Sequence, residues 1–196
     1  SGSEGDLKVE TSKGRFITRF IAGADGIASA VATALGLWGH RKFISVLAGE
    51  LFFKNFDILG KFKNTVHFDL AIIPQGYGWI FPKKEHVSLG VATHSKKSNE
   101  LNHYLQSYMQ MKGLHRAGEF RSLKGHLIPS GVQRKQLFAN KKGLLVGDAA
   151  GLAGPVTGEG IYYALREAQI AAEVISDALR ANDTTRIEDY NSILNK

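Results

Sequence analysis

The chain has 196 residues, 43% of them hydrophobic, no cysteine and a formal net charge of +7. That length accommodates one large domain or two small ones, with enough apolar material for a core. The absence of cysteine excludes a disulfide framework, a thiolate metal site and a cysteine nucleophile. No apolar run is long enough to span a bilayer and nothing resembles a signal peptide, so the cytoplasm is the expected compartment.

In chain order, Leu7–Glu10 alternates apolar and polar residues as a strand does, and Ser12-Lys13-Gly14 supplies a turn. A second strand runs from Phe16 to Ala22 and ends in Gly23-Ala24-Asp25-Gly26, with Ser29 at the start of a short helix reaching Leu35. A strand-rich region follows, with strands at Leu47–Phe53, Thr65–Ile73, Tyr77–Phe81 and His86–Ala92. Turns are expected at Asn55, Pro74-Gln75-Gly76 and Lys83-Lys84. Ser98 to Met111 reads as a helix capped by Ser98, with Glu100 in its first turn. Period-two spacing places Tyr77, Trp79 and Phe81 on one face of their strand. Such a row either packs in the core of its own sheet or lines an apolar binding tunnel.

Charge is unevenly distributed. Residues 112–142 carry eight basic side chains against one acidic, including Arg116, Arg121, Lys124, Arg134 and Lys135. A solvated basic face explains this most simply, and peripheral contact with anionic lipid headgroups or a phosphorylated substrate is the functional alternative. Nucleic acid is not an expected partner, because aromatic interleaving is thin and no recognition motif is visible. The histidines show no metal-ligand spacing, so no metal site is expected.

Gly143 to Val146 is a short apolar strand aimed into Gly147-Asp148. Glycines 147, 151, 154, 158 and 160 and Pro155 follow in quick succession, and a long helix begins after Glu159. Ile161, Leu165, Ala168, Ala172, Ile175 and Leu179 recur at helical spacing as the expected buried face. Arg166, Glu167, Glu173 and Asp177 fall on the other side. A strand feeding a glycine-rich loop that opens a helix lets a ligand approach bare backbone amides and a partial positive charge. A last short helix covers Ile187 to Leu194.

Three of these stretches together resemble one family. Gly147-Asp148-Ala149-Ala150-Gly151 with Pro155-Val156-Thr157-Gly158-Glu159-Gly160 looks like the second flavin-binding motif of the FAD-dependent monooxygenase and geranylgeranyl reductase superfamily. Gly23-Ala24-Asp25-Gly26 with Ser29 resembles its "GADG…S" motif. Pro74-Gln75-Gly76-Tyr77-Gly78-Trp79-Ile80-Phe81-Pro82-Lys83 followed by Gly90 resembles the P-x-x-Y-x-W-x-F-P-K…G pattern of geranylgeranyl reductases.

The resemblance implies FAD as cofactor and NAD(P)H as reductant. Asp148 would hydrogen-bond the ribityl chain, and Asp25 and Gly26 would lie near the pyrophosphate and ribityl region. Gly147, Ala149, Pro155, Gly158, Glu159 and Gly160 would complete the flavin contacts, with Tyr77, Trp79 and Phe81 along an isoprenoid substrate. The implied reaction is reduction of carbon–carbon double bonds in a geranylgeranyl or other prenyl lipid. An aromatic hydroxylase or halogenase on the same scaffold is the enzymatic alternative, and a non-catalytic module that binds a hydrophobic ligand or a partner is the other. One departure stands out: Ser29 is followed by Ala30-Val31-Ala32, not by the Val-Arg of many members, so no phosphate contact is assigned to an arginine there.

The implied fold class is α/β, reading as α+β in this chain alone. A partial Rossmann-like FAD domain (1–40 and 140–196) would flank an antiparallel-sheet substrate domain (41–139). The family's opening strand–G-x-G-x-x-G–helix unit is absent from this sequence. The chain is therefore expected to be a piece of a longer protein, inactive by itself.

Overall fold

The computed structural model describes residues 6–39, 42–95, 98–130, 136–154 and 157–195, in two compact units, Ser1–Lys42 with Pro129–Lys196 and Phe43–Ile128. Helices and mostly antiparallel sheets coexist, an α+β fold.

In the first unit, β1 (Leu7–Thr11) and β2 (Gly14–Thr18) form a hairpin, with Leu7 opposite Thr18. The single strand expected from Phe16 to Ala22 is in fact two, because Arg19 and Phe20 leave the ladder before β3 (Ile21–Gly23). Two further strands, β9 (Ala139–Asn140) and β10 (Gly143–Leu145), complete a three-stranded sheet ordered β3-β10-β9. The β10 strand runs parallel to β3 and antiparallel to β9.

Three helices complete this unit: α1 (Ala30–Ala34), α4 (Ile161–Ala181) and α5 (Asp189–Leu194). Its core gathers Phe138, Leu144, Leu145, Val174, Ile187 and Tyr190. The buried face of α4 is not the expected one. Glu167, Ala171, Val174 and Ala178 are buried, whereas Ile161 and Leu165 are 77% and 65% exposed. Alanines at this spacing let the helix approach its neighbours closely, and this outweighs the larger side chains on the adjacent stripe.

The second unit is a five-stranded sheet ordered β5-β6-β7-β4-β8. Its strands are β4 (Phe43–Phe53), β5 (His67–Leu70), β6 (Gly76–Pro82), β7 (His86–Thr93) and β8 (Gly118–Pro129). The basic segment thus contains an unanticipated edge strand. Its interspersed Arg121, Lys124 and His126 mask the alternation, and Ser122 breaks it with a left-handed φ of 57°. Charged side chains suit an edge, where they discourage pairing with another sheet.

Asn55, read as a turn, caps a short helix, α2 (Phe56–Gly60), by accepting from the Asp57 amide at 2.8 Å. Ser98 opens a 3-10 turn, and α3 itself spans Leu101–Met111; the expected cap by the Ser98 side chain lies outside the described residues. Tyr104, Leu105, Tyr108 and Met109 of α3 pack with Leu51, Ile80, Val87, Leu89 and Val91 on one face of the sheet. Gly78 makes room for this: a Cβ there would lie 2.7 Å from the Tyr108 ring. Tyr108 also donates to Asp69 Oδ2 at 2.5 Å, and Lys112 Nζ donates to Asp69 Oδ1 at 2.8 Å, which ties α3 to β5. Among the described residues no helix is long and apolar enough to cross a membrane.

Candidate functional site

Parallel pairing of β3 with β10 sets Gly23 opposite Leu145, and the Val146 amide donates to the Gly23 carbonyl at 2.9 Å. Both strands therefore end at the same sheet edge, where ligands of open α/β sheets collect. Asp25-Gly26 follows one strand and Gly147-Asp148-Ala149 the other. Gly23 allows this closeness, because a Cβ would lie 2.7 Å from Leu145 and 2.9 Å from Val31.

The Asp25 carboxylate is turned onto its own loop. It accepts from Ser29 Oγ at 2.5 Å and from the Val31 amide at 3.1 Å, while Ser29 caps α1 by accepting from the Ala32 amide at 2.8 Å. Burial opposes the charge on Asp25, but these hydrogen bonds outweigh it and hold the carboxyl below its ordinary range. Asp25 therefore shapes the turn, and Gly26 completes it with a φ of +78°.

The second turn is anchored from beneath. Gly147 adopts a φ of +60°, and its amide donates to Glu167 Oε2 at 2.6 Å. Glu167 is only 3% exposed. Burial pushes its carboxyl up to about 7, the charge of Asp148 adds to the rise, and the Gly147 amide opposes it. Tyr190, fully buried and without a hydrogen-bond partner for its hydroxyl among the described residues, also feels the Glu167 charge. Sequence spacing put Glu167 on the solvent side of α4 and missed it. The signal that locates it is the run Ala164, Glu167, Ala171, Val174, Ala178, a stripe of mostly small residues with one carboxylate.

Asp148 sits in a 3-10 turn with its side chain at the surface, where partial burial raises its carboxyl. Its Oδ1 faces Gly160, since a Cβ on that glycine would come within 3.5 Å. The loop between them closes on itself. The Gly154 amide donates to the Glu159 carbonyl at 2.7 Å, and the Gly158 amide to the Gly154 carbonyl at 2.9 Å. Glu159 turns its carboxylate onto α4, accepting from the Tyr162 amide at 2.7 Å as a cap. Among the expected flavin contacts, then, the Gly158 amide and the Glu159 carboxylate already have partners within the chain. Gly158 contributes its left-handed φ of +70°. Pro155 lies outside the described residues. The structure gathers Asp148 and Gly160 at one place and sets the Asp25-Gly26 turn along the same edge.

In the second unit, Tyr77, Trp79 and Phe81 form a ladder on the sheet face opposite α3, with ring centroids 5.8 and 6.2 Å apart. Phe68 stacks on Tyr77 at 4.5 Å. The Trp79 indole lies over Gly90, where a Cβ would sit 2.3 Å from the ring. Among the described residues no group of three or more His, Cys, Asp or Glu side chains could hold a metal ion.

A geranylgeranyl bacteriochlorophyll reductase-like protein of Thermoplasma acidophilum has a similar fold, with a TM-score of 0.77 and 25% identity over 92% of this chain and 47% of that one. In fold alone, so does a halogenase solved in complex with FAD, with a TM-score of 0.65 and 16% identity over 97% of this chain and 44% of that one. The fold is that of the flavin-dependent oxidoreductases and hydroxylases.

Within that class, residues 54–124 match the geranylgeranyl reductase catalytic domain. A digeranylgeranylglycerophospholipid reductase of Methanocaldococcus jannaschii is 36% identical over 170 residues, covering 85% of this chain and 43% of that protein. A chloroplastic geranylgeranyl diphosphate reductase of Arabidopsis thaliana is 31% identical over 162 residues, 79% of this chain and 33% of that protein. By sequence the chain is similar to geranylgeranyl reductases over most of its own length, and it spans less than half the length of these relatives.

Proposed function

We propose that this chain contributes the ribityl and ring side of an FAD site, and a prenyl-binding sheet face, to an enzyme that reduces carbon–carbon double bonds of a geranylgeranyl-type lipid. NAD(P)H is the proposed reductant. The observation that carries this reading is the parallel register of β3 and β10. It sets the Asp25-Gly26 turn and the Gly147-Asp148 turn along one edge, with Asp148 facing Gly160.

The residues present fit the cofactor. Asp148 is an exposed carboxylate suited to accept from ribityl hydroxyls. Gly26 and Gly160 leave bare backbone beside the turns, and Glu167 holds the Gly147 turn rigid. When bound, FAD supplies the two-electron redox chemistry. The chain's own part is to orient the cofactor with Asp148 and to present Trp79 and Phe81 as an apolar, water-excluding surface for the prenyl chain, with Tyr77, only 7% exposed, packed in the core beside them. Both relatives named above carry prenyl substrates in their names, which supports the same assignment here.

Anaerobic half-reactions of the full-length protein test the reading. Flavin reduced by NADH or NADPH should be reoxidised on adding geranylgeranyl diphosphate or a digeranylgeranyl glycerophospholipid. Reoxidation only by molecular oxygen, with hydroxylation or halide incorporation in an aromatic substrate, would replace it with the hydroxylase reading.

A further inference from the structure

Two carboxylates meet the Gly147-Asp148 turn, one exposed and one buried. Asp148 is at the surface with Oδ1 beside Gly160, while Glu167 accepts the Gly147 amide at 2.6 Å from beneath. The Gly147 carbonyl is engaged as well, accepting from the Ala150 amide at 2.9 Å. A Cβ on Gly147 would lie 3.3 Å from that of Ala164, which stands one turn before Glu167. The turn therefore rests on α4, and Glu167 is its polar anchor from below.

The titratable groups that act on Glu167 or feel its charge are Asp148 on the 3-10 turn and Tyr190 on α5. Arg186, Glu188 and Asp189, on the segment packed against α4, are exposed. Among the described residues no basic side chain forms an ion pair with Glu167. The Gly147 amide favours the ionised form of Glu167. By reciprocity, the ionised carboxylate holds that amide, and the turn with it, more firmly than the neutral acid does. The charge on Asp148 acts the other way and pushes a proton onto Glu167. Hydroxyl donors arriving at Asp148 spread that charge and relieve the pressure. Further burial by a ligand would oppose ionisation, but Glu167 is already only 3% exposed.

We infer that Glu167 is a positioning residue that gives up its proton as a polyol chain engages Asp148, so that loading of this site is linked to proton release from beneath it. This rests on the flavin reading of the Asp148 turn, with the ribityl chain as the polyol, and adds a pH dependence to cofactor uptake. The step breaks one carboxyl O–H bond and delivers the proton to solvent; nothing is oxidised or reduced. Because the Glu167 carboxyl stands at about 7, the effect falls in the neutral range. A Glu167 that only supported the fold would leave affinity level, or let it fall with stability, as pH rises. Linkage to binding makes affinity and stability diverge.

The test is calorimetric titration of the full-length apoprotein with FAD from pH 6 to pH 8, in two buffers of different ionisation enthalpy. FAD should bind about three- to tenfold more tightly at the alkaline end, with a fraction of a proton released near neutrality. The melting temperature of the apoprotein should fall over the same range. Glu167→Gln, which keeps an acceptor for the Gly147 amide, should bind FAD with level affinity across that range and release no proton. Should that variant fold poorly, infrared difference spectra of the unmodified protein with isotope-labelled glutamate give the same answer. A protonated carboxyl band should be lost when FAD binds near neutral pH.

Affinity that is level or falls toward alkaline pH, no proton release, or release undiminished in the Gln variant would each overturn the proposal and leave the flavin site standing. Failure of the full-length protein to bind FAD, or binding indifferent to Asp148→Ala, would instead remove the site on which it rests.

Discussion

Glu167 accepts the Gly147 amide at 2.6 Å from inside the protein, and this contact couples the middle of α4 to the turn that presents Asp148. The amide belongs to a residue with a φ of +60°, a conformation open to glycine and costly for most other residues. A carboxylate buried in this way marks the helix face that the turn rests on.

Glu167 should make stability depend on pH. Its folded-state pKa of about 7 lies above the ordinary 4.5, so between those values the folded state holds a proton that the unfolded state has released. Stability therefore falls as pH rises through this window, by about 3 kcal/mol, and is level above it. Glu167→Gln keeps an acceptor for Gly147 and removes the titration. Urea midpoints from pH 5 to 8 should decline more steeply for the unmodified protein than for the variant; parallel curves would exclude a raised Glu167.

Asp148→Ala should weaken flavin binding in the full-length protein. A charge-assisted hydrogen bond to a ribityl hydroxyl is worth roughly 1.5–3 kcal/mol, which is about a ten- to hundredfold change in affinity. Melting temperature without flavin, measured alongside, separates a loss of fold from the loss of this contact. Unchanged flavin content after purification would remove Asp148 from the site.

Trp79→Ala and Gly90→Ala should separate packing from ligand contact. The alanine methyl at position 90 would meet the indole at 2.3 Å and must displace it, at a cost of about 1–3 kcal/mol. Trp79→Ala should slow turnover of long prenyl substrates far more than flavin reduction by nicotinamide, since the indole is a large apolar surface on an otherwise smooth row. Equal losses in both half-reactions, tracking melting temperature, would return the row to a packing role.

Lys112→Met should destabilise the second unit by about 1–2 kcal/mol, by leaving Asp69 to Tyr108 alone. Burial opposes the charge on Asp69, but Lys112 and Tyr108 outweigh it and lower its pKa. Its contribution is present above the ordinary carboxylate pKa and is lost as pH falls through the lowered value. Chemical denaturation at pH 7 and pH 3 should therefore show a smaller difference between variant and unmodified protein at the acidic end. An undiminished difference there would place the effect elsewhere.

The turns at Asp25-Gly26 and Gly147-Asp148, the hairpin joining Tyr77–Phe81 to His86–Ala92, and the helix after Glu159 were all legible in the sequence. Each rests on a local requirement: left-handed glycine, a capping oxygen, or a period of 2 or 3.6. The side of Tyr77, Trp79 and Phe81 was readable for the same reason, because alternation along a strand is a property of the strand. What each face met was not. That the row lies on Gly90 and Phe68, opposite α3, follows from pairings across the sheet.

The buried side of α4 was decided by tertiary structure alone. Two stripes of that helix have comparable periodicity, and the larger side chains, Ile161 and Leu165, point to the stripe that is exposed. Choosing between them depends on a backbone amide 20 residues away in sequence that needs an acceptor where water is excluded. A buried carboxylate is tolerable only once that donor is in place, and spacing along a chain carries no record of it. The edge strand β8 escaped for a related reason, since most of its residues stay exposed and only its pairing with β4 makes it part of the sheet. Sequence by itself determined the turns and elements that carry a local signature, because their energetics are local. Tertiary structure decided which faces are buried and which carboxylate anchors the site, because those energies belong to pairs of distant residues.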